Sequence, residues 1–257
     1  MKKINCLVVF CVFFIFLSCS DKSVPGAKKE YRITGFEAAR IEMDSTWDRN
    51  ADPEMIRLVD SYKNKLEAQM SEEIGTAART LVKDYPQGLL SNFTADAMKL
   101  FIEKKGENVD FAIINNGGLR STLNEGKITI GAMFEIYSFE NQLVLLDVPG
   151  EAVKELFSYL AVNGGEALST GLRFVIKDRK VKSLHIGGQA FDENKTYRIV
   201  TVDFLAEGNS GMEALTKAVK YTAIGTTLRD AITQHIKEKT RQGELIDAQL
   251  DDRIKIE

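Results

Sequence analysis

The residues best suited to chemistry form the stretch Asn-Asn-Gly-Gly-Leu-Arg at positions 115–120, directly after an apolar run over positions 109–114. An apolar run followed by turn formers predicts a buried strand that ends in a tight loop. Adjacent glycines let a backbone pass close to a bound molecule, amides donate and accept hydrogen bonds, and a guanidinium can hold an anionic oxygen pair. The stretch therefore predicts a ligand-binding loop, and a connecting turn with an exposed arginine is the alternative it leaves open.

Two later segments give this loop a context. Positions 138–141 read Ser-Phe-Glu-Asn, and positions 197–211 read Tyr-Arg-Ile-Val-Thr-Val-Asp-Phe-Leu-Ala-Glu-Gly-Asn-Ser-Gly. Together with the loop they resemble the C-terminal, substrate-binding domain of the 5'-nucleotidase family. In that family an Asn-Gly-Gly-Gly-Ile-Arg loop, a Pro-Phe-Gly-Asn turn and an Asp-Phe-Leu-Ala-x-Gly-Gly-Asp-Gly segment recur in this order. Positions 88–98 are similar to the helix start Leu-Gly-Asn-Leu-x-Ala-Asp-Ala-Met of the same family.

The resemblance implies roles for individual side chains. Phe139 and Phe204 match two aromatic rings that clamp a nucleobase, and such stacking contributes about 1–3 kcal/mol per base. Asn115 matches an asparagine that contacts the base or ribose, and Arg120 matches an arginine directed at the phosphate, which a guanidinium suits. The residues that the resemblance places at the substrate are Asn115, Gly117, Gly118, Arg120, Phe139, Phe204 and Ser210.

Three positions depart from the family pattern. Asn116 stands where the family has a third glycine, a change we expect to be tolerated because asparagine visits left-handed backbone conformations. Ser210 replaces an aspartate that bonds ribose hydroxyls, so we expect weaker ribose binding. Positions 83–87 read Lys-Asp-Tyr-Pro-Gln where some members carry phosphate-binding arginines, so we expect Arg120 to act alone on the phosphate.

The residues of a hydrolytic metal site are missing from the sequence. Family members hydrolyse phosphoesters with an N-terminal metallophosphatase domain, whose two metal ions need several histidines and aspartates. This chain has two histidines: His185, in a predicted hairpin strand, and His235, on the predicted exposed face of the last helix. Neither has a carboxylate or histidine at ligand spacing. We therefore expect no catalytic residue, metal or other cofactor in this chain, and a divalent metal pair in a partner.

Other chemistries fit the sequence no better. Positions 208–211 lack the spacing of a serine nucleophile elbow, and no Walker-type phosphate loop occurs. The formal net charge is -3, and without a long basic run such a chain is a poor nucleic-acid binder. We expect no nucleic-acid partner.

The N-terminus predicts export. Met-Lys-Lys is followed by an apolar run over positions 6–17 and then by Ser18 and Cys19. This pattern predicts a lipoprotein signal peptide over residues 1–19 with Cys19 lipidated after processing, against an ordinary signal peptide or an anchor helix. Residues 20–29 predict a polar tether, and residues 30–257 one domain. All three cysteines lie in the leader, so we expect no disulfide or zinc-thiolate site in the exported protein.

The remaining pattern mixes helices and strands without strict alternation, which favours an α+β fold over a doubly wound sheet. The resemblance implies a layered α-β-β-α sandwich. Helices are predicted over about 53–70, 92–104, 150–160 and 226–239. Strands are predicted over 31–43, 109–114, 143–148, 172–176, 181–186 and 197–202, the fourth and fifth as a hairpin around Asp178 and Arg179.

Two functions follow from the resemblance. The first is the nucleotide-binding, substrate-positioning half of a split 5'-nucleotidase, which acts with a separately encoded metallophosphatase lipoprotein and is inactive alone. The second is a non-catalytic lipoprotein that captures a nucleoside or nucleotide. Both place the chain in the cell envelope, anchored to the outer membrane by its lipid and facing the periplasm or the surface.

Overall fold

The computed structural model describes residues 32–42, 44, 46 and 52–257. Residues Asp52–Glu257 form one compact unit. The predicted signal peptide, its lipidated Cys19 and the tether over residues 20–29 lie outside the described residues. Among the described helices, none is long and apolar enough to cross a membrane.

Helices and strands alternate irregularly along the compact unit. The helices are α1 (Pro53–Met70), α2 (Leu89–Glu103), α3 (Ile130–Ile136), α4 (Gly150–Asn163), α5 (Asp203–Ala206) and α6 (Leu228–Arg241). The strands are β1 (Glu73–Ala77), β2 (Phe111–Ile114), β3 (Gly126–Thr129), β4 (Gln142–Pro149), β5 (Ala167–Leu168), β6 (Leu172–Lys177), β7 (Lys180–Ile186), β8 (Gln189–Ala190), β9 (Thr196–Val202), β10 (Lys220–Thr227) and β11 (Ile254–Ile256).

The strands form three sheets. The central sheet has the order β10-β4-β9-β2-β5, a second sheet has the order β11-β6-β7-β8, and β1 pairs with β3. In the central sheet β2 runs parallel to β9, whereas β4 is antiparallel to β9. The parallel pair brings the ends of β2 and β9 to the same edge of the sheet, so the segments that follow both strands meet there.

Helices cover both faces of the central sheet. All four residues of β2 are buried, and because successive side chains of a strand point to opposite faces, both faces are packed. Helices α2 and α6 pack against each other, and α2 contacts β2 and β5. On α4, Phe157 packs edge-on against Phe111 of β2 and Phe174 of β6, at 5.7 and 5.0 Å between ring centroids. The predicted α+β layered fold is therefore confirmed.

Most predicted elements are confirmed with small shifts at their ends. Helix α1 begins after Asp52, whose carboxylate accepts from the Glu54 N–H, with a proline at its start. The hairpin turn has positive φ at Asp178 and Arg179. Helix α2 begins at Leu89, three residues earlier than predicted, and α6 begins at Leu228, because the Thr227 hydroxyl caps its first turn by accepting from Asp230 N–H.

The strand predicted over residues 31–43 is wrong for its described part. Residues 32–42 form no strand and are exposed, including Ile33 and Phe36. Alternating apolar residues make a strand only when a neighbouring strand pairs with them and a core buries one face. The alternation alone was therefore insufficient.

His235 also differs from the sequence-based expectation, because α2 packs over its side of α6 and buries it. Its ring lies 5.7 Å from the ring of Phe93 between centroids. Burial lowers the pKa of His235 to about 4, and the nearby cations Lys104 and Lys239 act in the same direction. The histidine is consequently neutral in the folded protein near pH 7.

We predict that His235 lowers the free energy of unfolding as the pH falls from 7 to 4. Its folded pKa of about 4 lies below the ordinary 6.5. Below pH 6.5 the unfolded chain therefore binds a proton that the folded chain does not bind until the pH reaches about 4. The free energy of unfolding consequently decreases by about 3 kcal/mol between pH 7 and pH 4. Urea unfolding of wild type and His235→Gln between pH 7 and 4 measures it. We expect a shallower decline in the variant, and His185→Gln, which changes an exposed histidine, is the control. Equal slopes for wild type and His235→Gln would contradict the assignment.

Candidate functional site

The predicted loop lies where the sequence places it, at the carboxyl end of β2. The chain leaves Ile114 and makes a 3-10 turn over Asn116–Gly118, closed by the Gly118 N–H to the Asn115 carbonyl at 2.9 Å. The Arg120 N–H then donates to the Ile136 carbonyl at 2.9 Å. These bonds fix the loop between the central sheet and the end of α3.

The two glycines of the loop make room for a neighbouring side chain. A Cβ on Gly117 would lie 3.2 Å from Asn115 Nδ2, and a Cβ on Gly118 would lie 3.1 Å from Asn115 Oδ1. Such contacts are tighter than ordinary van der Waals distances, so a larger residue at either position would push the amide away. The glycines thus hold the Asn115 side chain close over the loop.

Asn115 presents an unsatisfied acceptor. It is 9% exposed, and its Nδ2 donates to the Ser210 Oγ at 3.3 Å. Its Oδ1 is buried and has no hydrogen-bond partner among the described residues. Leaving such an atom unpaired costs about 1–3 kcal/mol, and the packing of the loop around Asn115 offsets that cost.

Asn116 anchors the loop from behind. Its Oδ1 accepts from Ser91 Oγ at 2.6 Å, and its N–H donates to the Glu166 carboxylate at 2.6 Å. Lys83 Nζ donates to the carbonyls of Asn116 and Leu119 at 3.1 and 2.5 Å. Burial raises the pKa of Glu166, while the bond from Asn116 acts against it. Asn116 lies in the 3-10 turn and not in the left-handed region, so its place here depends on these bonds.

A cavity of about 280 Å³ opens beside the loop. Its lining residues are Asn115, Gly117, Gly118, Phe139, Asn141, Phe204 and Ser210. Six of the seven residues predicted at the substrate therefore meet in one place. Phe139 and Phe204 both line the cavity and are 49% and 41% exposed.

Arg120, the seventh predicted residue, lies at the rim. Its side chain is exposed, its Nη1 donates to the Gly117 carbonyl at 3.3 Å, and its Cζ lies 5.9 Å from the centroid of Phe139. A guanidinium carries five N–H donors, so this bond leaves capacity for an anion. Arg120 places a positive charge next to one of the two rings.

The segment with Ser210 is held by a tyrosine. Ser210 has a left-handed backbone, with φ of 57°, and its carbonyl accepts from the Tyr159 hydroxyl at 3.0 Å. Gly211 has φ of 78°, and a Cβ there would lie 2.0 Å from the same hydroxyl. The glycine is required both for its backbone conformation and for the approach of Tyr159.

The turn that carries Phe139 is held by the start of α6. The buried guanidinium of Arg229 donates to the Tyr137 carbonyl at 2.9 Å and forms an ion pair with Glu140. Its Cζ lies 3.9 Å from the centroid of the Phe134 ring. Arg229 therefore binds the turn on both sides of Phe139, through the Tyr137 carbonyl and the Glu140 carboxylate.

Four residues of the site and its support were missed by the sequence reasoning. Asn141 could have been found, because it matches the asparagine of the family's Pro-Phe-Gly-Asn turn. Tyr159 and Arg229 lie far along the chain from the segments they hold, and no motif marks them. Lys83 lies in the segment where some family members carry phosphate-binding arginines, but its ammonium group binds the carbonyls of the loop instead.

The described residues contain no group of three or more histidines, cysteines, aspartates or glutamates that could hold a metal ion. His235 lies between α6 and α2, and His185 lies on β7, outside the lining of the cavity. The site thus offers stacking faces, amides, a hydroxyl and one cation.

Known proteins are similar to this chain in sequence. The model of the family described as "5'-nucleotidase, C-terminal domain" matches residues 68–217. Protein UshA of Yersinia enterocolitica is 26% identical over 194 residues, which cover 73% of this chain and 35% of that protein. Cell wall protein Lmo0130 of Listeria monocytogenes is 29% identical over 230 residues, which cover 79% and 29%. The chain thus spans about a third of the length of these relatives.

A solved structure agrees with the fold. The 5'-nucleotidase precursor from Thermus thermophilus superposes with a TM-score of 0.67 at 24% identity, over 78% of this chain and 42% of the other. At this identity the match supports the layered fold and carries no information on the ligand.

We predict that Arg229 positions the Phe139 ring. Lysine keeps the charge but has a single ammonium group, so Arg229→Lys should lose one of its two bonds to the turn and weaken nucleoside binding by about threefold to tenfold. Isothermal calorimetry with adenosine measures the change. Arg241→Lys, at an exposed position of the same helix, should leave affinity unchanged.

A double-mutant cycle separates positioning from general destabilisation. If Arg229 acts through the ring, Arg229→Lys should have no further effect on affinity in a Phe139→Ala background. An equal loss in both backgrounds would show that Arg229 does not act through Phe139.

Proposed function

Since the chain belongs to the 5'-nucleotidase C-terminal domain family, we propose that it binds a nucleotide and positions it for hydrolysis by a separately encoded metallophosphatase. In this split 5'-nucleotidase the chain holds the base and directs the phosphate towards the metal ions of the partner. Binding energy from the non-reacting base then orients the reacting phosphate.

The observation that carries the proposal is the cavity lined by Phe139 and Phe204 together with the residues Asn115, Asn141 and Ser210. Its volume of about 280 Å³ lies just below the range of about 300–1,000 Å³ for small-molecule sites, which suits part of a small ligand such as a base. Two half-exposed aromatic side chains at one cavity suit a flat heterocycle. The amide of Asn141 and the hydroxyl of Ser210 add polar contacts at the same wall.

Arg120 suits the phosphate end of the ligand. It stands at the rim beside Phe139, so a base between the rings would leave its phosphate outside the cavity and within reach of the guanidinium. A phosphate held at the rim is accessible to a second protein. In this proposal the partner supplies the metal ions for hydrolysis.

We place the protein in the cell envelope as a lipoprotein that is attached to the membrane through Cys19. Support comes from the leader sequence and from the similarity to a protein that is named for the cell wall. A tethered substrate-binding half and an exported metallophosphatase would then meet on the same side of the membrane.

Removing either ring tests the base site. Phe139→Ala and Phe204→Ala should each weaken adenosine binding by about 1–3 kcal/mol, which is roughly fivefold to 150-fold, because each variant loses one stacking face. Calorimetry measures the affinity. The control is Tyr62→Ala, which removes an exposed ring outside the cavity lining. Unchanged affinity in both phenylalanine variants would remove the basis for a base site.

The phosphate role of Arg120 is tested by comparing two ligands. Arg120→Gln should weaken adenosine monophosphate about tenfold to a hundredfold, the value of a hydrogen bond to a charged group, and should change adenosine far less. The ratio of the two dissociation constants isolates the phosphate contact. Lys127→Gln, which removes an exposed cation outside the cavity lining, is the control and should leave both affinities unchanged; parallel losses for both ligands in Arg120→Gln would instead indicate damage to the loop.

A further inference from the structure

Helix α1 exposes an apolar face that nothing in the compact unit covers. No residue of Pro53–Met70 is buried. The side chains of Met55, Val59, Tyr62 and Leu66, hereafter the α1 face, are 52–71% exposed. Their spacing of four, three and four residues places them on one side of the helix. The opposite side is polar and includes Asn64.

An exposed amphipathic helix of this kind needs a partner surface. Most helical stability in proteins comes from packing an apolar face and not from the helix itself, and α1 has no buried residue. Contiguous exposed apolar side chains mark interaction sites. Anchors at i, i+4, i+7 and i+11 are the pattern by which a helix lies in an apolar groove of another protein.

The position of α1 indicates which protein provides the groove. The family match begins at residue 68, near the end of α1, and this chain spans only about a third of UshA. The family is described as a C-terminal domain, so we infer that the additional length of such relatives precedes this domain, and α1 is its first described helix on that side. In the proposed function, a partner that supplies the metal site must contact this domain. Helix α1 is the helix of the domain closest in sequence to the additional length of the relatives.

Helix α1 is also connected to the cavity. Beyond its end, the Ile130 N–H donates to the Glu72 carbonyl at 3.0 Å. A Cβ on Gly131 would lie 3.1 Å from the Met70 carbonyl oxygen, so α1 and α3 meet closely. Helix α3 leads directly into the turn with Phe139. Helix α3 therefore connects the end of α1 to the turn that carries Phe139.

We propose that the α1 face docks into an apolar groove on the metallophosphatase partner. The proposal rests on the split nucleotidase of the proposed function and adds the surface that joins its halves. Along its length of about 27 Å, α1 offers about five turns, enough for the few central anchors that carry most of the energy of an interface. The contact sets the distance between the phosphate at Arg120 and the metal ions of the partner.

The test places a charge on each side of α1. Val59→Glu and Leu66→Glu add a carboxylate to the α1 face, and Asn64→Glu adds the same group to the polar side. The full chain is immobilised and titrated with each purified, metal-loaded exported metallophosphatase encoded by the same genome. We expect at least a tenfold loss of affinity in each face variant, and a change of less than twofold in Asn64→Glu. Thermal unfolding should be unchanged, because the substituted side chains are exposed.

Phosphate release from adenosine monophosphate gives a second measurement. At limiting partner concentration the face variants should lower the rate, and a large excess of metallophosphatase should restore it. Equal binding by wild type and both face variants would overturn the docking surface and leave the split enzyme standing. Failure of every metallophosphatase to bind wild type, with nucleoside binding intact, would overturn the split enzyme itself. Self-association that Leu66→Glu abolishes, with metallophosphatase binding unchanged, would assign the face to a second copy of the chain.

Discussion

The site depends on how the backbone leaves β2, because that exit turns two adjacent asparagine side chains in opposite directions. Asn116 faces the interior and is bonded through its side chain and both backbone groups. Asn115 faces the cavity and keeps an unpaired buried oxygen. The cost of that orphan acceptor is about 1–3 kcal/mol. The Asn115 amide lies close over Gly117 and Gly118, in the loop that the bonds of Asn116 hold in place.

Each of the three segments around the cavity is held through its backbone by a different part of the framework. Lys83 binds the carbonyls of the loop after β2, Arg229 binds the Tyr137 carbonyl in the turn before β4, and Tyr159 binds the Ser210 carbonyl after α5. The side chains of Phe139 and Phe204 themselves stay half exposed at the cavity. Binding residues on loops that are positioned by rigid elements are the common arrangement in enzymes and binding proteins.

The sequence predicted the parts of the site that are written locally and missed those that depend on distant contacts. An apolar run followed by glycines locates the strand and loop at positions 109–120 without tertiary information. The bond between Arg229 and Glu140 joins residues 89 positions apart, which no single motif records. The exposure of His235 was misjudged for the same reason: the turn of α6 around it reads as polar, and only packing against α2 buries it. Periodicity describes a helix, but its neighbour decides which residues are covered.

The departures from the family motifs change the charges around the cavity in a consistent way. Glu140 stands where the motif has a glycine, yet its carboxylate points to Arg229 and away from the cavity lining. Ser210 stands where the motif has an aspartate, so an anionic acceptor is replaced by a neutral one that bonds Asn115. None of the seven described lining residues is ionisable, and the positive charge of Arg120 lies at the rim. A cavity without carboxylates does not repel a phosphate, and an uncompensated guanidinium at its mouth attracts one. In the proposed function, this distribution of charge favours a ligand orientation with the base in the cavity and the phosphate at Arg120, where a partner that carries the metal ions could reach it.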